Sequence, residues 1–276
     1  MNIMFQGTSS SAGKSTFVTA LCRILRDENI NVAPFKSQNM SRNAVCIKGN
    51  FKIAVSQVVQ AEAAKIEPIP EINPILLIPN SDTGSTVVVN GREHSKTDAK
   101  LYHATKAKLR STVKDAYDRL SAMYNVIVIE GAGSPAEINL RENDFVNMGL
   151  AEMVDSPVII VGDIDRGGVF ASIYGTIMLM SESEKKRIKG FIINKFRGDI
   201  DILKPGIEMI EKLVDKPCLG VMPFFNLDIE EEDSIIDGEE GRRIEDDVLR
   251  NKEYDKLAEI VRENIDIEKI KAIIGL

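Results

Sequence analysis

The stretch Gln6-Gly7-Thr8-Ser9-Ser10-Ser11-Ala12-Gly13-Lys14-Ser15 decides how the rest of the chain is read. An apolar run, Ile3 to Phe5, enters it, and Phe17, Val18, Leu21, Ile24 and Leu25 follow it at helical spacings. Strand, small-residue loop, Gly-Lys-Ser and helix is the arrangement that cradles phosphate. Gly13 and its neighbours Thr8, Ser9, Ser10 and Ala12 let backbone N–H groups turn toward an anion. The helix opening at Ser15 and Thr16 adds its positive N-terminal end. Lys14 has the reach for the outer phosphates, and the Ser15 hydroxyl suits Mg²⁺. The spacing departs from the usual pattern, which would put a glycine where Thr8 stands; Gly7 lies one residue earlier.

Working outward, Val32 to Phe35 is predicted as a second strand, ending in Lys36-Ser37-Gln38-Asn39-Met40-Ser41. Ile53 to Lys65 has a helical pattern, and Asn90-Gly91 closes a strand at Thr86 to Val89 with a hairpin signal. Ser81-Asp82-Thr83-Gly84-Ser85 is a turn, and Asp98 to Met123 a long helix. Asn125 to Ile129 has the composition of a buried parallel strand and runs into Glu130-Gly131-Ala132-Gly133. An acid at the tip of such a strand, beside Gly-rich backbone, holds Mg²⁺ directly or through water in P-loop sites. Further strands are expected at Val158 to Val161, Gly190 to Ile193 and Cys218 to Val221. Asn194, at the tip of one of them, carries an amide able to read a purine edge. Strands alternating with helices predict an α/β fold, a doubly wound, mostly parallel sheet of the P-loop NTPase kind. Each polar cluster follows a strand, so all should fall on one edge of the sheet, where such folds bind ligands.

Bulk properties narrow the function. A net charge of −7 argues against non-specific nucleic-acid binding. The three cysteines, Cys22, Cys46 and Cys218, form no CxxC pair, which fits reduced thiols in a cytoplasmic setting. No apolar segment approaches a membrane span, and the N-terminus reads as a core strand, so no membrane is expected. Residues 228–247 hold eleven acids against two Arg. The organisation expected is therefore a P-loop domain over 1–227, an acidic linker over 228–250 and an amphipathic helical tail over 251–276.

Taken together, these motifs resemble the cobyric acid synthase family, ATP-dependent amidases of cobalamin biosynthesis, over residues 1–234. The match is carried by the P-loop, by Ala33-Pro34-Phe35-Lys36 with Gln38-Asn39-Met40-Ser41, and by Val58 to Ala64. It continues through Ser81 to Ser85, Glu130 to Leu140, Asp163 to Phe170 and Asn194 to Asp199. The longer-spaced P-loop also looks like that of dethiobiotin synthetase. The resemblance implies ATP and Mg²⁺ as cofactors and a corrinoid carboxylate as acceptor. It implies catalysis by Lys14, Lys36 and Glu130, metal held by Ser15 and Glu130, Asn194 at adenine, and a homodimer. Relatives continue into a glutaminase domain that is missing here, while Glu253 onward looks like the family's extreme C-terminal tail. Ammonia would then come free or from a separate glutaminase.

The sequence also departs from the family. Lys52 stands where relatives carry an acid, Val55 where they carry Arg, and Ile78 where they usually carry Lys. Between Ser37 and Ala61 there is no Asp or Glu. A Lys in place of a metal-binding carboxylate would oppose the cation. This leaves open a non-catalytic, nucleotide- or corrinoid-binding homologue, and a ligase with a substrate nearer that of dethiobiotin synthetase.

Overall fold

Apolar residues alternate between two cores along the central strands, and that alternation explains the layering. Ile3 and Phe5 face one cluster and Met4 the other; Val126 and Val128 face the first, Ile127 and Ile129 the second. Strands buried on both faces require helices on both faces. The computed structural model describes residues 1–80, 84–226 and 246–276, and the side chains among these except over 96–107. Ser81-Asp82-Thr83 of the predicted turn and most of the predicted acidic linker, 228–245, lie outside the described residues.

In chain order the elements begin with β1 (Asn2–Gly7), α1 (Lys14–Asp27), β2 (Val32–Phe35) and β3 (Gln38–Met40). A hairpin of β4 (Ala44–Ile47) and β5 (Phe51–Ala54) leads into α2 (Val55–Ala63). Next come β6 (Ile75–Pro79), β7 (Gly84–Val89), β8 (Arg92–Asp98) and α3 (Ala99–Met123). The second half alternates regularly: β9 (Val126–Glu130), α4 (Met148–Met153), β10 (Val158–Asp163), α5 (Val169–Met178), α6 (Glu182–Arg187), β11 (Ile188–Phe196), α7 (Ile200–Val214) and β12 (Cys218–Pro223). Two helices close the described chain, α8 (Asp247–Asn264) and α9 (Ile267–Ile274).

The central sheet runs β12-β11-β10-β1-β9-β2, and every neighbouring pair is parallel. It is the doubly wound parallel sheet expected from the strand–helix alternation. β1 lies where the winding reverses: the chain moves from it toward β2 on one side and later returns to β10 on the other. The crevice above β1 is therefore the topological switch point, the usual ligand position in such folds. α1, α8 and α9 contribute to one core, and α3, α4, α5 and α7 to the other. Phe5 and Phe17 stack with centroids 6.0 Å apart, seating α1 on the strand that precedes it. Each fully buried Leu or Ile in these layers contributes about 1.5–3 kcal/mol through area removed from water.

A second sheet, β3-β6-β7-β8, stands beside β2; of it the sequence showed the strand at Thr86 to Val89 and the hairpin turn at Asn90-Gly91, but not the sheet. β3 is polar and reads as loop, yet it pairs in parallel with the apolar β6. The helix expected from Ile53 starts instead at Val55. Gly49 (φ 83°) and Asn50 (φ 58°) form a left-handed turn that folds Phe51–Ala54 back on Ala44–Ile47. At the C-terminus, α8 begins at Asp247, whose preceding Asp246 carboxylate accepts from Val248 and Leu249 N–H. Leu257, Ala258, Val261, Ile270 and Ile274 join the core under α1, and Arg23 pairs with Asp255 across 2.6 Å. The predicted amphipathic tail is thus packed on the sheet domain.

Candidate functional site

The loop after β1 is shaped by two left-handed residues, Ser11 (φ 55°) and Gly13 (φ 96°). Gly13 is the N-cap of α1, so the loop hands directly to the helix N-terminus. A Cβ on Gly13 would lie 2.0 Å from Asn194 Nδ2, and one on Gly7 would lie 2.7 Å from the Ser9 carbonyl oxygen. Only glycine fits at either place, because Asn194 and the loop's own backbone already fill the space a Cβ would take. The loop is tied down from both sides: Thr8 N donates to Val161 O at 2.9 Å, and Asn194 Nδ2 donates to Ala12 O at 2.9 Å. Lys195 Nζ, from the next position of β11, donates to Ser11 O at 2.6 Å and pairs with Asp163 at 3.0 Å. Ser9 and Thr16 are half-buried on the loop and first helical turn, Ser10 is exposed and Ala12 is buried.

Lys14, Ser15, Lys36 and Glu130 converge above the tips of β1, β2 and β9. Ser15 Oγ donates to Glu130 Oε1 at 2.8 Å, and Lys36 Nζ reaches the same oxygen at 2.8 Å. Lys14 Nζ donates to Ser9 O and Gly133 O at 3.2 and 3.3 Å, spanning from its own loop to the turn after β9. Parallel register makes this possible: Phe5 lies opposite Glu130, and Phe35 opposite Ile129, so the strand ends finish level. Glu130 is 0% exposed and Lys36 3%. Burial alone would push the Glu130 carboxyl up; the Lys36 ammonium, then Lys14 and the Ser15 hydroxyl, outweigh it and hold the group below the usual carboxylate range.

The donor set fits a magnesium–nucleotide. Mg²⁺ takes oxygen ligands, commonly one or two carboxylates plus phosphate oxygens. Among the described residues no three His, Cys, Asp or Glu side chains gather as a metal cluster, so Ser15, Glu130 and the phosphates themselves would hold it. Asn194 is 4% exposed and its Nδ2 is bound to Ala12 O, which sets it against the loop.

Several supporting residues went unrecognised in the sequence. Asn147 brackets the turn after β9, donating to Ala132 O at 2.6 Å and accepting from Ala132 N at 3.2 Å. Asn73 donates to Lys36 O at 3.2 Å and accepts from Ala54 N at 3.3 Å, fixing the backbone that carries Lys36. Gln60, on α2, donates to Glu130 Oε2 at 2.5 Å. Gln57 and Gln60 interrupt the apolar pattern of α2 at a spacing of three, which is the one signal that could have pointed to them.

The three departures lie elsewhere. Lys52 pairs with Glu93 across 2.5 Å on the β4–β5 hairpin, 38% exposed, with its charge answered there rather than at Glu130. Val55 packs with Val59, Ala63 and Tyr254, and Ile78 against Ala54, Leu76 and Val88.

A phosphate loop at a switch point, with a strand-tip acid paired to its serine, coincides with a family signature. The pattern of the CobQ/CobB/MinD/ParA nucleotide binding domain matches residues 3–235. This chain belongs to that family. Within it, the chain is 53% identical over 234 residues to a cobyric acid synthase of Clostridium acetobutylicum, covering 85% of this chain and 48% of the relative. A cobyric acid synthase of Alkaliphilus metalliredigens is 54% identical over 234 residues, with 85% and 46% covered. One from Caldanaerobacter subterraneus subsp. tengcongensis is 54% identical over 237 residues, with 86% and 47% covered. The chain spans about half the length of these family members. No described helix is long and apolar enough to cross a membrane.

Proposed function

We propose that this chain is an ATP-dependent amidating domain of the cobyric acid synthase kind, converting corrin side-chain carboxylates of cobyrinic acid a,c-diamide to amides. The observation that carries the reading is the convergence of Lys14, Ser15 and Lys36 on Glu130, joined to identity above 50% with cobyric acid synthases across the same residues. A bound magnesium–ATP would supply a transferable phosphoryl group. The acceptor carboxylate would become an acyl phosphate, and ammonia would displace phosphate to leave the amide.

The chain's own groups divide the work. Gly13, its neighbours and Lys14 hold the phosphates; Ser15 and Glu130 hold the cation; Asn194 meets the adenine. Lys36, paired with Glu130, would stabilise charge that develops on the transferring group. Ammonia is delivered from outside this chain, free or by a separate glutaminase, and the protein works as a homodimer in the cytoplasm. Residues 1–227 would form the synthetase unit, with the helical tail starting at α8 (Asp247), four residues before the expected 251.

The test is release of phosphate from ATP with Mg²⁺, ammonium and cobyrinic acid a,c-diamide. Release that needs all four supports the reading. Nucleotide binding without release would favour a binding module instead.

A further inference from the structure

We infer that Gln60 is a positioning residue for Glu130, and that Asn39, Gln57 and Gln60 form a buried amide relay which sets how that carboxylate faces the loop. The inference rests on the nucleotide reading above. Glu130 offers two oxygens. Oε1 accepts from Ser15 and Lys36 on the loop side, and Oε2 accepts from Gln60 Nε2 at 2.5 Å. A carboxylate gripped at Oε2 cannot swivel to exchange its oxygens, so Oε1 stays on the serine that would share the cation.

Gln60 is itself held. Its Oε1 accepts from Gln57 Nε2 at 3.5 Å, and Gln57 Oε1 accepts from Asn39 Nδ2 at 2.7 Å and from Ser56 Oγ at 3.2 Å. All three amides donate in the same sense, toward Glu130, so their dipoles align with positive ends at the carboxylate and strengthen one another. Each is at most 1% exposed. The relay starts at Asn39 on β3, in the second sheet, and its far oxygen, Asn39 Oδ1, is buried without a protein partner. It therefore joins the second sheet to the acid of the P-loop site through the interior of α2.

A merely space-filling role would be served by apolar side chains, as at Val58, Val59, Ala61 and Ala63 of α2. Three buried amides in series toward one carboxylate are instead the arrangement of an outer shell that orients a metal ligand, where loss of a member typically weakens metal affinity by about 10–100-fold.

The experiment is a titration of the full chain with Mg²⁺ at fixed non-hydrolysable ATP analogue, read by calorimetry, beside analogue binding in EDTA. Gln60→Met keeps the side-chain volume and removes the donor. The expected result is a half-saturating Mg²⁺ concentration raised about 10-fold or more, with metal-free binding changed by less than about threefold. Gln57→Met, one link further out, should shift it in the same direction by a smaller factor, and serves if Gln60→Met does not fold. An unchanged Mg²⁺ midpoint in a folded variant, or equal losses with and without metal, overturns the relay and leaves the nucleotide reading standing. An unsubstituted chain without any Mg²⁺-dependent binding overturns the nucleotide reading itself, and the relay with it.

Discussion

Ser15 Oγ donates to Glu130 Oε1 across 2.8 Å, joining residues 115 positions apart in the chain. One sits on the first turn after the phosphate loop and the other at the tip of the neighbouring strand. The bond brings an oxygen of the loop and an oxygen of the acid to one point, which is what a shared hard cation requires. The chemistry proposed for this chain depends on that meeting, and so do the predictions below.

Glu130 should make stability depend on acid. Its folded carboxyl lies below the ordinary value of 4.5, so on acidification the unfolded chain takes up the proton first. The contribution is complete above that ordinary value and is lost as pH falls through the lowered folded one. Urea unfolding at a series of pH values should therefore show a drop below about pH 4.5 that is diminished in Glu130→Gln. Parallel slopes in the two proteins would contradict the assignment.

Lys36→Met should be costly for the fold and for turnover. It strips a buried carboxylate of an ammonium 2.8 Å away, and breaking a buried pair from one side costs about 3–5 kcal/mol. Chemical denaturation reads the loss. Phosphate release should fall at least about tenfold if a single charge-stabilising group is removed, while affinity for the ATP analogue changes little. A folded variant with full turnover would remove Lys36 from the mechanism.

Gly13→Ala should abolish nucleotide binding. The new methyl would meet Asn194 Nδ2, and the left-handed backbone at φ 96° adds about 1–2 kcal/mol for a residue with Cβ. Adding Asn194→Ala relieves the collision but keeps the backbone term and removes both the tie to Ala12 O and the proposed adenine contact, so binding should stay lost in fluorescent-nucleotide titrations. Wild-type affinity in Gly13→Ala alone would mean the loop does not hold its phosphate in this shape.

Lys52→Glu should not raise turnover. The native ammonium answers Glu93 on an exposed hairpin, and an acid there would face Glu93 instead of the cation. The expected stability loss is below about 1 kcal/mol, as for exposed pairs generally. A tenfold gain in phosphate release would show that this position reaches the site after all.

The three thiols should separate by reactivity. Cys46 is exposed; burial pushes the Cys22 thiol far up and the Cys218 thiol up to about 11. Since the thiolate is the reactive form, a disulfide reagent at pH 8 should label Cys46 rapidly in the native protein and reach the other two on unfolding. Mass spectrometry of the labelled peptides checks the order.

What the sequence determined was everything local or periodic. Ile3–Phe5, Gly13-Lys14-Ser15 and the helical spacing after them specify strand, cradle and helix without reference to the rest of the chain, and the apolar runs Asn125–Ile129, Val158–Val161 and Gly190–Ile193 specify further buried parallel strands. Glu130 was legible because it ends such a strand beside the Gly-rich Gly131-Ala132-Gly133, in a chain that opens with a phosphate loop. The tertiary structure alone decided which polar side chains meet. Gln38–Met40 became a strand through pairing with β6, Lys52 on β5 met Glu93 on β8, and Gln60 met Glu130 from 70 residues away. Local patterns report the backbone's preferences and the burial of one face. A hydrogen bond between distant side chains depends on strand order and register, and neither is written in the residues that make it.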